Sequence, residues 1–209
     1  MMIFAILFGL LPLVVFLILK KQLGEDLSPI VPFLIVVFIA SVYEFLGALI
    51  LKNSVEYWFL TYDTIAFFSI HYFYYTILKR KYKLFFSIFI ILFICLLSLT
   101  FTGWNSKNFL ELNSYFNAYQ TFVVLLFSAI WFRELFVNLE LASLAKSPIY
   151  YFICGLVLYY TGTLFLFLSS HLFLEIDNST FFDYWILNII LNLVLRTLLI
   201  VGIWKARMK

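Results

Sequence analysis

Three polar residues recur at every fourth position of the last hydrophobic stretch: Asn188, Asn192 and Arg196. Because an α-helix has 3.6 residues per turn, this spacing places the three side chains on one helical face. A guanidinium inside a bilayer costs roughly 2.5–3.5 kcal/mol on insertion scales, so we expect Arg196 to face protein or water rather than lipid. The other hydrophobic stretches must therefore pack around this polar face.

Polar residues of four stretches are predicted to share one depth. Counting a rise of 1.5 Å per residue from the outer end of each stretch places them about 8–11 Å below the membrane boundary. We therefore predict a pocket in the outer half of a helix bundle, with tyrosines as its walls and a small amphipathic molecule as its ligand. The polar set is Glu44, Asp63, Gln120 and Asn188, and the predicted walls are Tyr43, Tyr62, Tyr119 and Tyr159.

Two further residues are predicted to lie deeper, about two thirds of the way to the cytoplasm by the same count. These are His71 and Arg196, and either His71 or Asn192 could relay between Arg196 and the carboxylates of Glu44 and Asp63. The alternative is a structural polar core, in which buried hydrogen bonds and an Arg–carboxylate pair hold the bundle together.

An enzyme is not expected, because no complete catalytic constellation is present in the sequence. Hydrolytic zinc needs about three His or carboxylate ligands, and the chain has two histidines, His71 and His171, at different predicted depths. No Gly-rich phosphate loop or Ser-His-Asp set is found, and Cys95 and Cys154 lie in apolar runs as packing residues. We predict no catalytic residue, no metal site, no cofactor and no nucleic-acid partner.

The composition predicts a membrane protein, because 65% of the 209 residues are hydrophobic and 12% are charged. Soluble domains average about 45–50% apolar and about 25% charged residues. Seven apolar stretches of about 20 residues each suffice for a hydrocarbon core of ~30 Å. The predicted fold is all-α: a polytopic membrane protein with one seven-transmembrane helix bundle over residues 1–209. The spans are 2–19, 29–51, 56–78, 84–103, 115–137, 148–171 and 181–204.

The distribution of basic residues predicts the orientation of the bundle. Apart from Lys52, Lys107 and the intramembrane Arg196, every Lys and Arg lies on the side to which spans 1, 3, 5 and 7 lead. By the positive-inside rule this side is cytoplasmic, so the N-terminus is outside and the C-terminus inside. The first span lacks the basic region and cleavage site of a signal peptide. We predict a multi-pass protein of a bacterial inner (cytoplasmic) membrane.

Two Ser-Pro-Ile motifs suggest an internal repeat. Residues 28–30 open span 2 and residues 147–149 open span 6, in both cases with a good N-cap serine and a proline at the helix start. A parallel 3+1+3 repeat, with span 4 as connector, would produce this pattern. Span 4 is apolar on all sides, which predicts a peripheral helix against lipid or a second subunit in a homo- or hetero-oligomer. Residues 133–146 mix apolar and charged side chains, which is typical of a surface segment along headgroups or a cytoplasmic partner.

Several short motifs carry a family resemblance: Asn113-Ser114-Tyr115, the run from Ser147-Pro148 to Gly155, residues 159–168, and the stretch from Leu187-Asn188 to Asn192. On these residues the chain resembles small, uncharacterised bacterial seven-span inner-membrane proteins similar in layout to the seven-helix sensor modules of histidine kinases. The resemblance covers most of the chain and implies a sensor module. The given sequence stops at Lys209, so the resemblance implies a kinase partner on a separate polypeptide.

Three functions therefore remain open from the sequence. The first is a sensor-like module that binds an apolar or amphipathic ligand and signals to a cytoplasmic protein such as a histidine kinase. The second is a small transporter that alternates access around the polar face that carries Asn188 and Arg196. The third is an assembly subunit of a larger membrane complex, in which the polar residues are structural.

Overall fold

The computed structural model describes residues 2–23, 25–51, 56–78, 81–104, 108–137, 144, 146–176 and 178–207. In this part of the chain every regular element is helical and no strand occurs, which confirms the all-α prediction. The α-helices are α1 (Met2–Phe8), α2 (Leu11–Leu19), α3 (Val31–Tyr43), α4 (Glu56–Ile77), α5 (Lys83–Phe101), α6 (Phe109–Val137), α7 (Pro148–Ile176) and α8 (Asn178–Arg207). Two 3₁₀ segments, Lys20–Gln22 and Glu25–Ile30, join α2 to α3, and a π-helical segment, Glu44–Ile50, follows α3.

Six helical stretches of the described chain are long and apolar enough to cross a membrane. Their bounds are Phe4–Gln22, Leu27–Gly47, Lys83–Phe101, Phe109–Val137, Pro148–Leu168 and Trp185–Arg207. The predicted third span, which corresponds to α4, is not among them. It carries Asp63, His71, Trp58 and several tyrosines, and these side chains lower its mean hydropathy. The seven-span count therefore stays a prediction.

The first stretch is interrupted rather than continuous. The N–H of Gly9 donates to the carbonyls of Ala5 and Ile6, and the N–H of Leu10 donates to Leu7 O in a tighter turn. Pro12 stands in the first turn of α2 and has no N–H to continue the α1 ladder. A span predicted as one helix is thus two helices with a bend at residues 9 and 10.

Glycines allow the close approach of α7 and α8, which pack against each other along their length. A Cβ at Gly155 would lie 3.2 Å from Leu195 Cδ1, and one at Gly162 would lie 2.8 Å from Leu191 Cδ1. Gly202 on α8 faces the Phe152 ring of α7, leaving no space for a Cβ. Small residues at such contacts are typical of membrane helices, where close van der Waals packing drives association.

Helix α5 lies at the edge of the bundle, packed against α4 and α6. Its outer face exposes large apolar side chains, among them Leu84, Ile91 and Leu99. This arrangement agrees with the peripheral position predicted from its composition. A lipid-facing surface explains such exposure, because hydrocarbon solvates these side chains as well as a protein core does.

The two Ser-Pro-Ile motifs have different local structures. Ser147 precedes α7, and Pro148 is its first residue, as expected for a helix start. The other motif, residues 28–30, ends a 3₁₀ segment, and α3 begins after it at Val31. The predicted repeat gains no support from this comparison and stays a prediction. Residues 138–143 and 145 of the predicted surface segment lie outside the described residues, as do Lys52 and Lys107.

A charged cluster joins the α4–α5 turn to the end of α6. Lys81 Nζ lies 2.8 Å from Glu134 Oε1, and the Tyr82 hydroxyl donates to the same carboxylate oxygen. The hydrogen bond to Glu134 raises the pKa of Lys81 above its ordinary value. The side chain of Lys81 is 60% exposed and that of Glu134 is 23% exposed, so this ion pair contributes little to stability. It marks the end of the bundle opposite to the residues at which α4 and α6 begin.

Candidate ligand-binding site

A cavity of about 210 Å³ lies between six of the α-helices and the π-helical segment. It lies near the start of α4, α6 and α8 and near the end of α3, so it occupies one end of the bundle. Helices α2 and α5 contribute no described lining residue. The volume is below the ~300–1,000 Å³ of sites for drug-sized ligands, so a smaller molecule would fit it.

Three charged residues from different segments line this cavity: Glu44, Asp63 and Arg196. Asp63 on α4 and Arg196 on α8 are each only 5% exposed. Within the described chain neither carboxylate forms an ion pair with Arg196 at or below 4.0 Å. The Arg–carboxylate pair weighed from the sequence is therefore not formed. Asp63 Oδ2 and Arg196 Nε are buried without a described hydrogen-bond partner, which is expensive for charged groups.

The bend between α1 and α2 receives the guanidinium of Arg196. Its Nη1 donates a hydrogen bond to the carbonyl of Ala5. A Cβ at Gly9 would lie 2.7 Å from Arg196 Cζ and closer still to Ser41 Oγ, so only glycine fits here. Gly9 was not among the site residues predicted from the sequence. The sequence does contain a signal for a helix interruption here, because Gly9 and Pro12 lie three residues apart inside an apolar span.

An aromatic wall of the cavity lies next to the π-helical segment, which begins at Glu44. The ring of Tyr43 stacks on Trp58 with centroids 4.0 Å apart and planes 15° apart. Trp58 in turn lies 6.3 Å from Tyr62, one turn further along α4. All three rings line the cavity. An extra residue in a helical turn rotates the following side chains, and such insertions occur frequently at functional sites.

Two asparagine ladders face the cavity. On α8, Asn192 Nδ2 lies 3.3 Å from both Asn188 O and Asn188 Oδ1, as the spacing of four predicted. On α6, Asn117 Nδ2 donates to Asn113 O at 3.0 Å, and the Asn113 Oδ1 is buried without a described partner. The α6 pair was not predicted as part of the site, although the same spacing of four signals it in the sequence.

Gln120 lies behind the cavity wall rather than on it. Its Nε2 donates to the backbone carbonyl of Asp63 at 2.7 Å, and its Oε1 accepts from the Tyr160 hydroxyl at 2.9 Å. Thr121 also donates to the Tyr160 carbonyl. Gln120 therefore ties α4 to α7 and holds Asp63 and Tyr160, both of which line the cavity.

Two other predicted site residues lie away from the cavity. The Tyr119 hydroxyl donates to Phe89 O on α5 at 2.6 Å, so its ring belongs to the α5–α6 contact. His71 packs among the rings of Phe67, Phe86 and Phe127, with centroid distances of 5.0–5.5 Å. Neither imidazole nitrogen has a described hydrogen-bond partner. His71 therefore lies in an aromatic cluster outside the cavity lining, and the relay to Arg196 stays a prediction. Tyr159, by contrast, lines the cavity together with Asn188 and Asn192.

The side chains around this cavity can bind the polar groups of a ligand, while the aromatic and apolar part of the wall contacts the rest of it. Among the described residues no three His, Cys, Asp or Glu side chains come close enough to hold a metal ion. Asp63 and Glu44 can accept hydrogen bonds from a cationic group, and Arg196 can donate hydrogen bonds to an anionic group. The aromatic faces of Trp58 and Tyr62 can also attract a cation.

The chain matches no protein-family model, no curated protein and no solved structure. The resemblance to seven-helix sensor modules therefore stays a prediction.

Proposed function

We propose that this protein is a membrane-embedded receptor module that binds a small amphipathic molecule in the cavity and signals to a separate cytoplasmic protein. The observation that carries the proposal is a pair of buried ionisable side chains, Asp63 and Arg196, which line one cavity without forming an ion pair with each other. A bundle selected for stability alone would gain by replacing them with apolar residues. Their presence is explained if a ligand completes their interactions.

The proposal includes seven spans, with α4 as the third. Its 22 residues measure about 33 Å along the axis, enough for a hydrocarbon core of ~30 Å. Three of its ionisable residues lie toward other helices: Asp63 lines the cavity, and His71 and Tyr74 are buried. With the N-terminus outside and the C-terminus inside, the cavity lies in the outer half of the bacterial inner membrane.

A signal could pass along α8. This helix presents Asn188, Asn192 and Arg196 to the cavity and continues to Arg207 at the other end of the bundle. A ligand that binds Arg196 more tightly in one position of α8 than in another shifts the helix toward that position. The partner would be a cytoplasmic signalling protein, such as a histidine kinase, that contacts the last turns of α8.

A transporter is the second candidate, and one observation favours it. Helix α1–α2 is interrupted at Gly9, and α3 passes into the π-helical segment at Glu44, both beside the cavity. Discontinuous helices at a central binding site are typical of secondary transporters. The third candidate, an assembly subunit, rests on the apolar face of α5, which a bilayer covers as readily as a protein does.

Ligand retention can be measured by native mass spectrometry of the protein purified in mild detergent. We expect a small-molecule adduct on the parent and its loss in Ala40→Phe, because Ala40 is 4% exposed and lines the cavity. Ala129→Phe places the same side chain on an exposed surface of α6 and should retain the adduct. A copurifying protein without any adduct would favour the subunit function, and uptake into proteoliposomes would favour the transporter.

The orientation can be tested by cysteine labelling in a Cys95→Ser, Cys154→Ser background. We expect Leu51→Cys, at the exposed end of the π-helical segment, to react with an impermeant thiol reagent added from the periplasm. Lys83→Cys, at the start of α5, should react only after the membrane is permeabilised. The reverse pattern would place the cavity on the cytoplasmic side and contradict the receptor orientation.

A further inference from the structure

We infer that the ligand of this cavity is a small zwitterion, with one cationic group, one anionic group and an apolar remainder. The inference rests on the proposed binding function and names its ligand class. It follows from three features of the cavity: the signs of its charges, their separation from one another, and the nature of the remaining wall.

The described charged groups on the wall are two carboxylates and one guanidinium, Glu44, Asp63 and Arg196. A simple anion would satisfy Arg196 but would leave the buried Asp63 Oδ2 without a partner. A simple cation would satisfy Asp63 but would leave the guanidinium without an anionic partner. A molecule with both charges satisfies both groups and leaves the net charge of the cavity unchanged.

The opposite charges do not neutralise each other directly. Asp63 and Arg196 are each 95% buried, on α4 and α8, yet no carboxylate lies within 4.0 Å of the guanidinium in the described chain. Ala5 O accepts from Arg196 Nη1, and Arg196 Nε has no described partner. Because an arginine has five N–H donors, the group retains capacity for a carboxylate or another oxyanion.

The remaining wall fits the other parts of such a ligand. Trp58 and Tyr62 line the same cavity as Asp63, so aromatic rings share the wall with the carboxyl group that would accept from an ammonium group. Val37, Phe59 and Ile189 supply apolar surface for a hydrocarbon remainder. The anionic end of the ligand would therefore lie toward Arg196 and the α1–α2 bend, and its cationic end toward α4.

Three zwitterions of increasing charge separation test this inference: leucine, γ-aminobutyrate and ε-aminocaproate. Each is compared with singly charged relatives, namely leucinamide, N-acetylleucine, hexylamine and hexanoate, by thermal unfolding of the full chain in detergent. We expect at least one zwitterion to raise the melting temperature in a saturable manner, and no singly charged relative to match it. Its apparent affinity should fall about 30-fold or more in Asp63→Asn and in Arg196→Gln, because each leaves one buried charge unpaired.

The control is Glu134→Gln, which removes an exposed carboxylate at the other end of the bundle and should leave the affinity unchanged. Equal stabilisation by N-acetylleucine or hexanoate would mean that Arg196 alone selects an anion, which overturns the zwitterion. Equal stabilisation by leucinamide or hexylamine would mean that the carboxylates alone select a cation, which also overturns the zwitterion. If no compound of the series acts while native mass spectrometry still finds an adduct, the ligand class is wrong and the binding function stands. If no adduct is found either, both fail.

Discussion

Replacing Arg196 by methionine is expected to stabilise the ligand-free bundle by about 1–3 kcal/mol and to abolish ligand binding. The guanidinium is 95% buried, and the described chain gives it one hydrogen bond, to Ala5 O, and no ion pair. Methionine removes the unpaired charge and fills similar space with an apolar side chain. Thermal unfolding followed by tryptophan fluorescence would measure the stability, and the thermal shift with ligand would measure binding.

Two further variants separate charge from shape. Arg196→Lys keeps the charge but cannot present a planar fork, so it should lose affinity without gaining stability. Arg133→Met makes the same change at an exposed position on α6, where the side chain is 70% exposed, and should change neither quantity. A loss of several kcal/mol in Arg196→Met would contradict the receptor proposal, because it would show that the guanidinium holds the bundle together.

The position of a residue along its helix axis could be predicted from the sequence, but the direction in which its side chain points around that axis could not. Each residue adds 1.5 Å, so counting from the span ends placed Glu44, Asp63 and Asn188 at one depth, and all three line the cavity. Tyr119 and Gln120 share that depth as well. Adjacent residues on a helix point about 100° apart, so a shared depth does not place both in the same surroundings. The structure turns Tyr119 to α5 and Gln120 to the backbone of α4.

A spacing of four between polar residues was recognised in the sequence where the series included a charged residue. The series that ends at Arg196 was identified from the sequence, whereas the pair Asn113 and Asn117 on α6 was not, although both ladders line the cavity. Asparagines near the predicted start of a span are also typical of helix caps, and nothing in one sequence separates these two roles. Only the neighbouring helices, which bury both residues, assign the α6 pair to the site.

Local breaks within apolar stretches were the least predictable features. Hydropathy averages over about 19 residues, so a single Gly or Pro hardly changes it. The bend at Gly9 and the π-helical turn at Glu44 therefore do not appear in a span prediction, yet both lie beside the cavity. Hydropathy likewise gives low values for Tyr and His, although these side chains can be buried against other helices, as His71 and Tyr74 of α4 are.

Gly9→Ala should destabilise the protein by about 1–3 kcal/mol and weaken ligand binding, because the added Cβ overpacks a closed site. The Cβ would lie under 3.0 Å from both Ser41 Oγ and Arg196 Cζ. Ser41 is fully buried and its hydroxyl donates to Val37 O at 3.0 Å, so it cannot move away freely. Both the Ser41 hydroxyl and the guanidinium must therefore shift, which breaks the hydrogen bond to Val37 O and removes Arg196 from its position on the cavity wall. Thermal unfolding and the ligand thermal shift measure the two effects.

The matched control is Gly103→Ala, where the nearest atom to a new Cβ is Leu112 Cδ1 at 3.6 Å, an ordinary contact. This change should be neutral or stabilise by up to about 1 kcal/mol, since alanine reduces the entropy of the unfolded chain. Adding Ser41→Ala to Gly9→Ala removes the nearest clashing atom and should restore part of the stability, which a double-mutant cycle would measure as a favourable coupling. If Gly9→Ala behaves like Gly103→Ala, the bend does not enclose Arg196, and the position assigned to the anionic end of the ligand is wrong.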